Sequence, residues 1–156
     1  MHHRSPNAIG AALESNIFCE FICDGFHVSE PVVKLMYKLL TDSRMVLISD
    51  SLSATGMPDG LFELAGLPVH VRGGKAFLNN GTIAGSTVTL FECVKNMISW
   101  GIPAESAFKM ATINPAKATK TQNICGSISV GKRADFILLN KDYSIKDVYV
   151  RGDLFR

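Results

Sequence analysis

The chain has 156 residues, of which 47% are hydrophobic and 19% charged, enough apolar material to bury a sizeable core and too much for a disordered tail. Its 16 basic and 14 acidic residues are scattered, leaving a formal charge of +2 and no basic block of the kind that neutralises nucleic-acid phosphates. No apolar run approaches the roughly 20 residues that span a bilayer, and Met1-His2-His3-Arg4-Ser5-Pro6 lacks the regions of a signal peptide, so no membrane or nucleic-acid partner is expected and the expected compartment is the cytoplasm.

Helical character runs from Ala8 to Leu13, and Ile17 to Cys23 is rich in β-branched and aromatic residues, which predicts a buried strand running into Asp24-Gly25-Phe26-His27. Ser29 suits an N-cap and Pro31 the first turn of a helix whose packing face is predicted from Val32, Val33, Met36, Leu39 and Leu40. A second apolar strand, Met45 to Ile48, ends on Ser49-Asp50-Ser51. Strand, helix and strand in this order predict parallel pairing through a crossover. Short strand-like pieces follow at Leu61 to Leu64, Val69 to Val71 and Ala76 to Leu78, separated by the turn signals Gly66-Leu67-Pro68, Gly73-Gly74 and Asn79-Asn80-Gly81. Gly85-Ser86 is expected to open a helix with Leu90, Val94 and Met97 on one face. Gly101 ends it, and Pro103 starts another carrying Phe108 and Ala111. Asn114-Pro115-Ala116 is expected to be the next break, and the tail alternates Gly131-Lys132-Arg133-Ala134-Asp135 with strands Phe136 to Leu139 and Val148 to Val150.

Asp50 ends an apolar strand. In folds of alternating strands and helices, catalytic groups stand at the carboxyl ends of parallel strands, which makes Asp50 the first catalytic candidate; its alternative is a turn cap in a Ser/Gly-rich loop. His27 follows one predicted parallel strand as Asp50 follows the next, so both are expected at one end of a sheet, although a satisfied surface histidine fits the same residues. Small residues in Asn80-Gly81-Thr82-Ile83-Ala84-Gly85-Ser86 precede an expected helix, where free N–H groups could hold an anion or simply make a turn. Arg4 could clamp a phosphate with its planar fork or stay solvated. His2, His3, His27 and His70 are not spaced as converging ligands, so no metal site is expected within the chain. Cys19, Cys23, Cys93 and Cys125 show no Cys-x-x-Cys spacing and are expected as buried free thiols.

In order, His2-His3-Arg4-Ser5-Pro6, Asp24-Gly25-Phe26-His27-Val28, Ser49-Asp50-Ser51, Gly81-Thr82-Ile83-Ala84-Gly85-Ser86, Met110 to Ala116 and Gly131 to Asp135 resemble the N-acetylglucosamine-6-phosphate deacetylases of the amidohydrolase superfamily over nearly the whole chain. The Asn-Pro-Ala and Gly-Lys-x-Ala-Asp pieces occur across amidohydrolases; the other pieces, at these spacings, point to amino-sugar phosphate deacetylases. The resemblance implies hydrolysis of the N-acetyl group of N-acetylglucosamine 6-phosphate in a metal-bearing barrel joined to a small β-sandwich, with the galactosamine epimer as an alternative substrate. It implies that Asp50 is the acid/base and that Asp24, Gly25, Phe26 and His27 contact the sugar, with His27 steadying the carbonyl. Ile83, Ala84 and Gly85 would line the pocket, and Arg4 would reach the substrate phosphate across a homodimer interface.

The expected architecture is α/β, a partial (β/α)8 hydrolase barrel plus part of a β-sandwich. Residues 1–56 would be final barrel strands and helices, 57–80 a β-hairpin insertion, 81–122 the carboxyl-terminal barrel helices and substrate loop, and 123–156 sandwich strands. The resemblance also implies a divalent metal, zinc or iron, in full-length members, whose ligands lie upstream of the matching segments. The chain is accordingly expected to be an amino-terminally truncated form, and an inactive fragment is the reading from another class.

Overall fold

A computed structural model describes residues 7–155; the predicted site residue Arg4, with His2 and His3, lies outside the described residues. In chain order the elements are α1 (Asn7–Glu14), β1 (Cys19–Ile22), α2 (Glu30–Arg44), β2 (Met45–Ile48), β3 (Gly60–Leu64), β4 (Leu67–Arg72), β5 (Lys75–Leu78), α3 (Leu90–Ser99), α4 (Ala104–Ala111), α5 (Ile113–Ala118), β6 (Phe136–Leu139), β7 (Ile145–Val150) and β8 (Asp153–Phe155), a mixed α/β arrangement. β1 and β2 pair in parallel, from Cys19 opposite Met45 to Ile22 opposite Ile48, with α2 as the crossover. Met45, Val46 and Leu47 are all buried, as a parallel strand covered on both faces requires.

The packing face of α2 is narrower than the periodicity predicts. Val33, Met36 and Leu40 are buried against β2, α3 and α4, whereas Val32, Leu35 and Leu39 are 45%, 49% and 41% exposed. At 100° per residue these are two adjacent apolar stripes, and only one meets the core. α2 is kinked near its end, where Thr41 takes φ 57°, and runs on to Arg44. The chain then turns toward Asn114, which is 1% exposed and donates both amide hydrogens through Nδ2, to the carbonyls of Asp42 (2.6 Å) and Met45 (2.7 Å). Arg44 closes the other side of this junction, its guanidinium donating to the Ala12, Leu13 and Ser15 carbonyls at the carboxyl end of α1.

β3, β4 and β5 form an antiparallel meander, which buries Val69, Val71 and Ala76 with Ala54 and Ala84. Leu67 and Pro68, expected in the turn, belong to β4; Pro68 is tolerated because β5 begins its pairing at Val69, so β4 has a neighbour on one side only there. α3 opens at Thr89 rather than at Gly85-Ser86. Thr89 and Glu92 make a reciprocal capping box, with Thr89 Oγ1 accepting from the Glu92 N–H and the Glu92 carboxylate accepting from the Thr89 N–H. Asn114-Pro115 is inside α5 rather than at a break, since Pro115 sits in the first turn, where its missing N–H costs nothing; the break falls at Thr112. The tail carries a third strand, β8, that the apolar pattern does not announce, folded onto β7 through Arg151 and Gly152, both at positive φ.

A polar relay ties α2 to α4. Tyr37 donates to Ser106 Oγ at 3.0 Å, Ser106 donates to Asp42 Oδ2 at 2.8 Å, and Lys109 Nζ reaches Asp42 Oδ1 at 2.8 Å. The Lys109 ammonium, against some cost of burial and with help from the Ser106 hydroxyl, holds the Asp42 carboxyl below its ordinary pKa. A carboxyl depressed in the folded state stabilises it above the unfolded pKa, near 3.9, and loses that contribution as pH falls through the folded value. Asp42→Asn should therefore cost about 1 kcal/mol at pH 7, and urea unfolding at pH 7 and pH 3 should show the gap to wild type closing at the lower pH.

Candidate functional site

The parallel register places Asp24 and Asp50 alike, each two residues past the paired Ile22 and Ile48, at the same end of the β1–β2 sheet. α3 anchors both strand ends from below: Asn96 Nδ2 donates to the Cys23 carbonyl at 2.9 Å, and the Cys93 thiol lies 3.7 Å from the Ile48 carbonyl. Burial first, then the nearby Cys93 and Asp24, pushes the Cys23 thiol up to about 12, and burial pushes Cys93 up to about 11. Both are protonated core thiols, not nucleophiles. Cys19 and Cys125 are free and only partly buried, so the expectation of four buried thiols holds for two.

After Cys23 the chain winds around one carboxylate. Asp24 Oδ1 accepts from the N–H groups of Phe26 and His27, both at 2.9 Å, and Oδ2 lies 2.7 Å from His27 Nδ1. Burial alone would raise the Asp24 pKa, but the His27 N–H, the His27 ring and the Phe26 N–H outweigh it and hold the carboxyl below its ordinary value. An ionised carboxylate only accepts, so Nδ1 carries the hydrogen of this bond. Nε2 is therefore an acceptor in the neutral ring and a donor in the imidazolium. The Asp24 side chain is 6% exposed and that of His27 is 17% exposed. Gly25 makes the turn at φ 75°, where an added Cβ would stand 3.5 Å from Trp100.

Asp50 is exposed and sits at φ 50°, in the left-handed region that Asp tolerates better than most residues. Its loop is held by Ser86, which is 3% exposed: the Ser86 N–H donates to the Asp50 carbonyl at 2.8 Å, the Leu52 N–H donates to the Ser86 carbonyl at 2.9 Å, and the Ser86 hydroxyl donates to the Ser49 carbonyl. Ser51 Oγ adds a bond to the Val88 carbonyl at 2.7 Å. The segment before α3 is thus bridged to its neighbours, not an open anion cradle, because the Ala84 and Ser86 N–H groups are already spent on Ala76 and Asp50.

Ile83 pairs with Phe77 across an isolated bridge, so both project from one side, and Ala84 turns into the core. Phe26 meets that side: its ring centroid is 5.8 Å from Phe77, and Lys75 Nζ stands 4.4 Å from the Phe26 centroid. The structure thereby brings the Asp24 to His27 loop to Phe77 and Ile83, and ties Asp50 to Gly85 and Ser86 through the backbone. Lys75, Phe77 and Ser86 were not picked out by sequence reasoning as site residues. The alternation around Val69-His70-Val71 foreshadowed which side of the meander would be free, with His70 half-buried between two buried valines. Among the described residues no three His, Cys, Asp or Glu side chains gather where they could hold a metal ion, so these residues do not by themselves fit zinc or iron. No helix among them is long and apolar enough to cross a membrane.

The amidohydrolase family model matches residues 8–155. An N-acetylglucosamine-6-phosphate deacetylase of Vibrio furnissii is 39% identical over 99% of this chain and 39% of its own length. A protein of Escherichia coli K12, provisionally named an N-acetylgalactosamine-6-phosphate deacetylase, is 34% identical over 99% of this chain and 93% of its own. The crystal structure of N-acetylglucosamine-6-phosphate deacetylase from Thermotoga maritima superposes with a TM-score of 0.92 at 36% identity, covering 99% of this chain and 43% of that one. The chain belongs to the amidohydrolase family and, within it, to the N-acetylglucosamine-6-phosphate deacetylases and their galactosamine counterparts. It spans about two fifths of the length of the Vibrio and Thermotoga relatives.

Gly85 is where the Asp50 loop comes closest. At φ 64°, a Cβ there would lie 2.8 Å from Leu52 Cδ2 and 3.1 Å from the Asp50 carbonyl oxygen, whereas Gly81, at φ 81°, has nothing within 4 Å. Gly81→Ala should cost about 1 kcal/mol of backbone strain, and Gly85→Ala about 2 to 3 kcal/mol because contact is added to strain. Denaturant unfolding of both variants checks the order.

Proposed function

We propose that this chain carries the proton shuttle and part of the sugar site of an N-acetylhexosamine-6-phosphate deacetylase, which hydrolyses N-acetylglucosamine 6-phosphate to glucosamine 6-phosphate and acetate. The observation that carries this reading is the placing of Asp50 and the Asp24–His27 pair at the same end of two parallel strands, in a chain whose relatives bear that activity in their names. In this reading β1, α2 and β2 are the last strands and crossover of an eight-stranded barrel. Residues 57–80 are an insertion that folds as the β3–β5 meander, 81–122 bring the substrate loop and closing helices, and 123–156 belong to a small β-sandwich.

The Asp50 carboxylate takes a proton from a water whose oxygen bonds to the amide carbonyl carbon. The tetrahedral oxyanion so formed is met by His27 Nε2, which donates when the ring is imidazolium, with the Asp24 carboxylate on Nδ1 holding the ring in place. Collapse breaks the C–N bond, and Asp50 returns its proton to the leaving nitrogen, giving acetate and the free amine. Gly25 and Phe26 shape the sugar side of the loop, Ile83, Ala84 and Gly85 the opposite wall, and Arg4 reaches the phosphate from a second subunit. The galactosamine relative, matched over 93% of its own length, favours the epimeric 6-phosphate as a second substrate reading.

The test is acetate release from both 6-phosphates, with zinc or iron supplied, by the chain itself and by a chimera in which residues 8–155 replace the matching part of the Vibrio relative. The chimera should turn over, and Asp50→Asn in it should lower kcat by about a hundredfold or more with KM within a few fold. Near-normal turnover of that variant would remove Asp50 from the chemistry, and the ratio of kcat/KM for the two sugars decides the epimer.

A further inference from the structure

The β4–β5 hairpin has one face in the core and one free. The free face follows from the register: Arg72 is opposite Lys75, His70 is opposite Phe77, and Phe77 is bridged in turn to Ile83. A cavity of about 410 Å³ opens there, lined by His70, Arg72, Phe77, Leu78, Asn79 and Gly81, with His70 Nε2 2.7 Å from Asn79 Oδ1. Its aromatic wall, Phe77, is the residue against which Phe26 of the Asp24 to His27 loop packs edge to face.

Lys75 is the cation at this junction. Its ammonium stands 4.4 Å from the centre of the Phe26 ring, a contact that orients the side chain by electrostatic attraction and leaves its N–H donors available to a second partner. Neither Lys75 nor Arg72 takes part in the ion pairs among the described residues. Asp59 accepts from the Gly73 and Gly74 N–H groups at the tip of the hairpin, Asp24 from the Phe26 N–H, and Glu92 shares a cavity with Gly74, whereas Glu63 lies at the far end of the face opposite Pro68. The tip of the hairpin thus carries two cations on its free face, a point charge on Lys75 and a planar fork on Arg72, beside an Asp59 carboxylate that accepts from backbone N–H groups. A phosphate monoester, doubly charged and rich in acceptor oxygens, is the group that this pair suits.

We propose that Lys75, backed by Arg72, is a specificity-determining residue that recognises the phosphate of the amino-sugar phosphate from the hairpin side. This rests on the proposed function for the identity of the sugar, while the phosphate recognition itself stands on the hairpin geometry. Phe26 then does two things: its loop presents His27, and its ring fixes the cation that selects the phosphorylated sugar.

Calorimetric titration of the full chain with glucosamine 6-phosphate, glucosamine and inorganic phosphate tests it. Wild type should bind the sugar phosphate at least tenfold more tightly than either of the others. Lys75→Met should lower that preference at least threefold, the rest being left to Arg4, while leaving glucosamine binding within twofold, and Lys75→Arg should restore it. The proposal is overturned if wild type shows no preference, if Lys75→Met keeps it, if both sugars weaken equally, or if inorganic phosphate binds as tightly as the sugar phosphate. Acetate release by the chimera separates the two readings: turnover with a Lys75-independent phosphate preference sinks only the Lys75 assignment, and a Lys75-dependent preference without turnover sinks only the deacetylase reading.

Discussion

Everything at the candidate site depends on one buried serine. Ser86 makes bonds with its N–H, its carbonyl and its hydroxyl, and each of the three has a partner in the Ser49 to Leu52 stretch. Without those bonds Asp50 would ride on an exposed loop at the end of a strand, and its left-handed backbone conformation would have nothing to over-determine it. With them, a segment more than thirty residues downstream is bridged to the chain just past β2. The same segment continues into Thr89 and the capping box of α3, and α3 in turn grips the ends of both β1 and β2. The loop, the bridged segment and the helix form a closed circuit of hydrogen bonds around the strand ends.

Within that circuit the two acidic residues have opposite characters. Asp24 is buried, bonded on both oxygens and spent on shaping its own loop, so its work is to orient His27. Asp50 is exposed, which suits the shuttle proposed for it. The division follows from backbone geometry: the turn after Cys23 folds back on its own carboxylate, whereas the turn after Ile48 is tied down through main-chain groups and leaves the side chain outside.

Local pattern carried much of this architecture. The apolar strands ending at Asp24 and Asp50, the crossover helix between them and the meander punctuated by glycines were all legible from periodicity and turn residues. What was not legible depended on partners distant in the chain. Gly85-Ser86 looks like a helix start, yet the Ser86 hydroxyl goes to Ser49, and the Thr89-x-x-Glu92 capping box was the local signal for the true one. Asn114-Pro115 looks like a break, but Asn114 spends its amide on the α2–β2 junction. Val32 and Leu39 share the apolar character of Val33 and Leu40, and only packing distinguishes the two stripes. β8 is short and exposed throughout, so no alternation marked it. Lys75 read as an ordinary charge at the start of a strand, and only the fold brings it over Phe26.

The central physical claim is that Ser86 fixes the Asp50 loop from within the protein. Residue-resolved amide hydrogen exchange at Ser86 and Leu52 tests it directly, since both N–H groups are assigned to bonds that cross between the two segments. Protection comparable to that of the Val46 and Leu47 amides in β2 is the predicted result. Exchange at the rate of an unstructured loop would mean that the stitch does not hold, and that Asp50 has no fixed place from which to act.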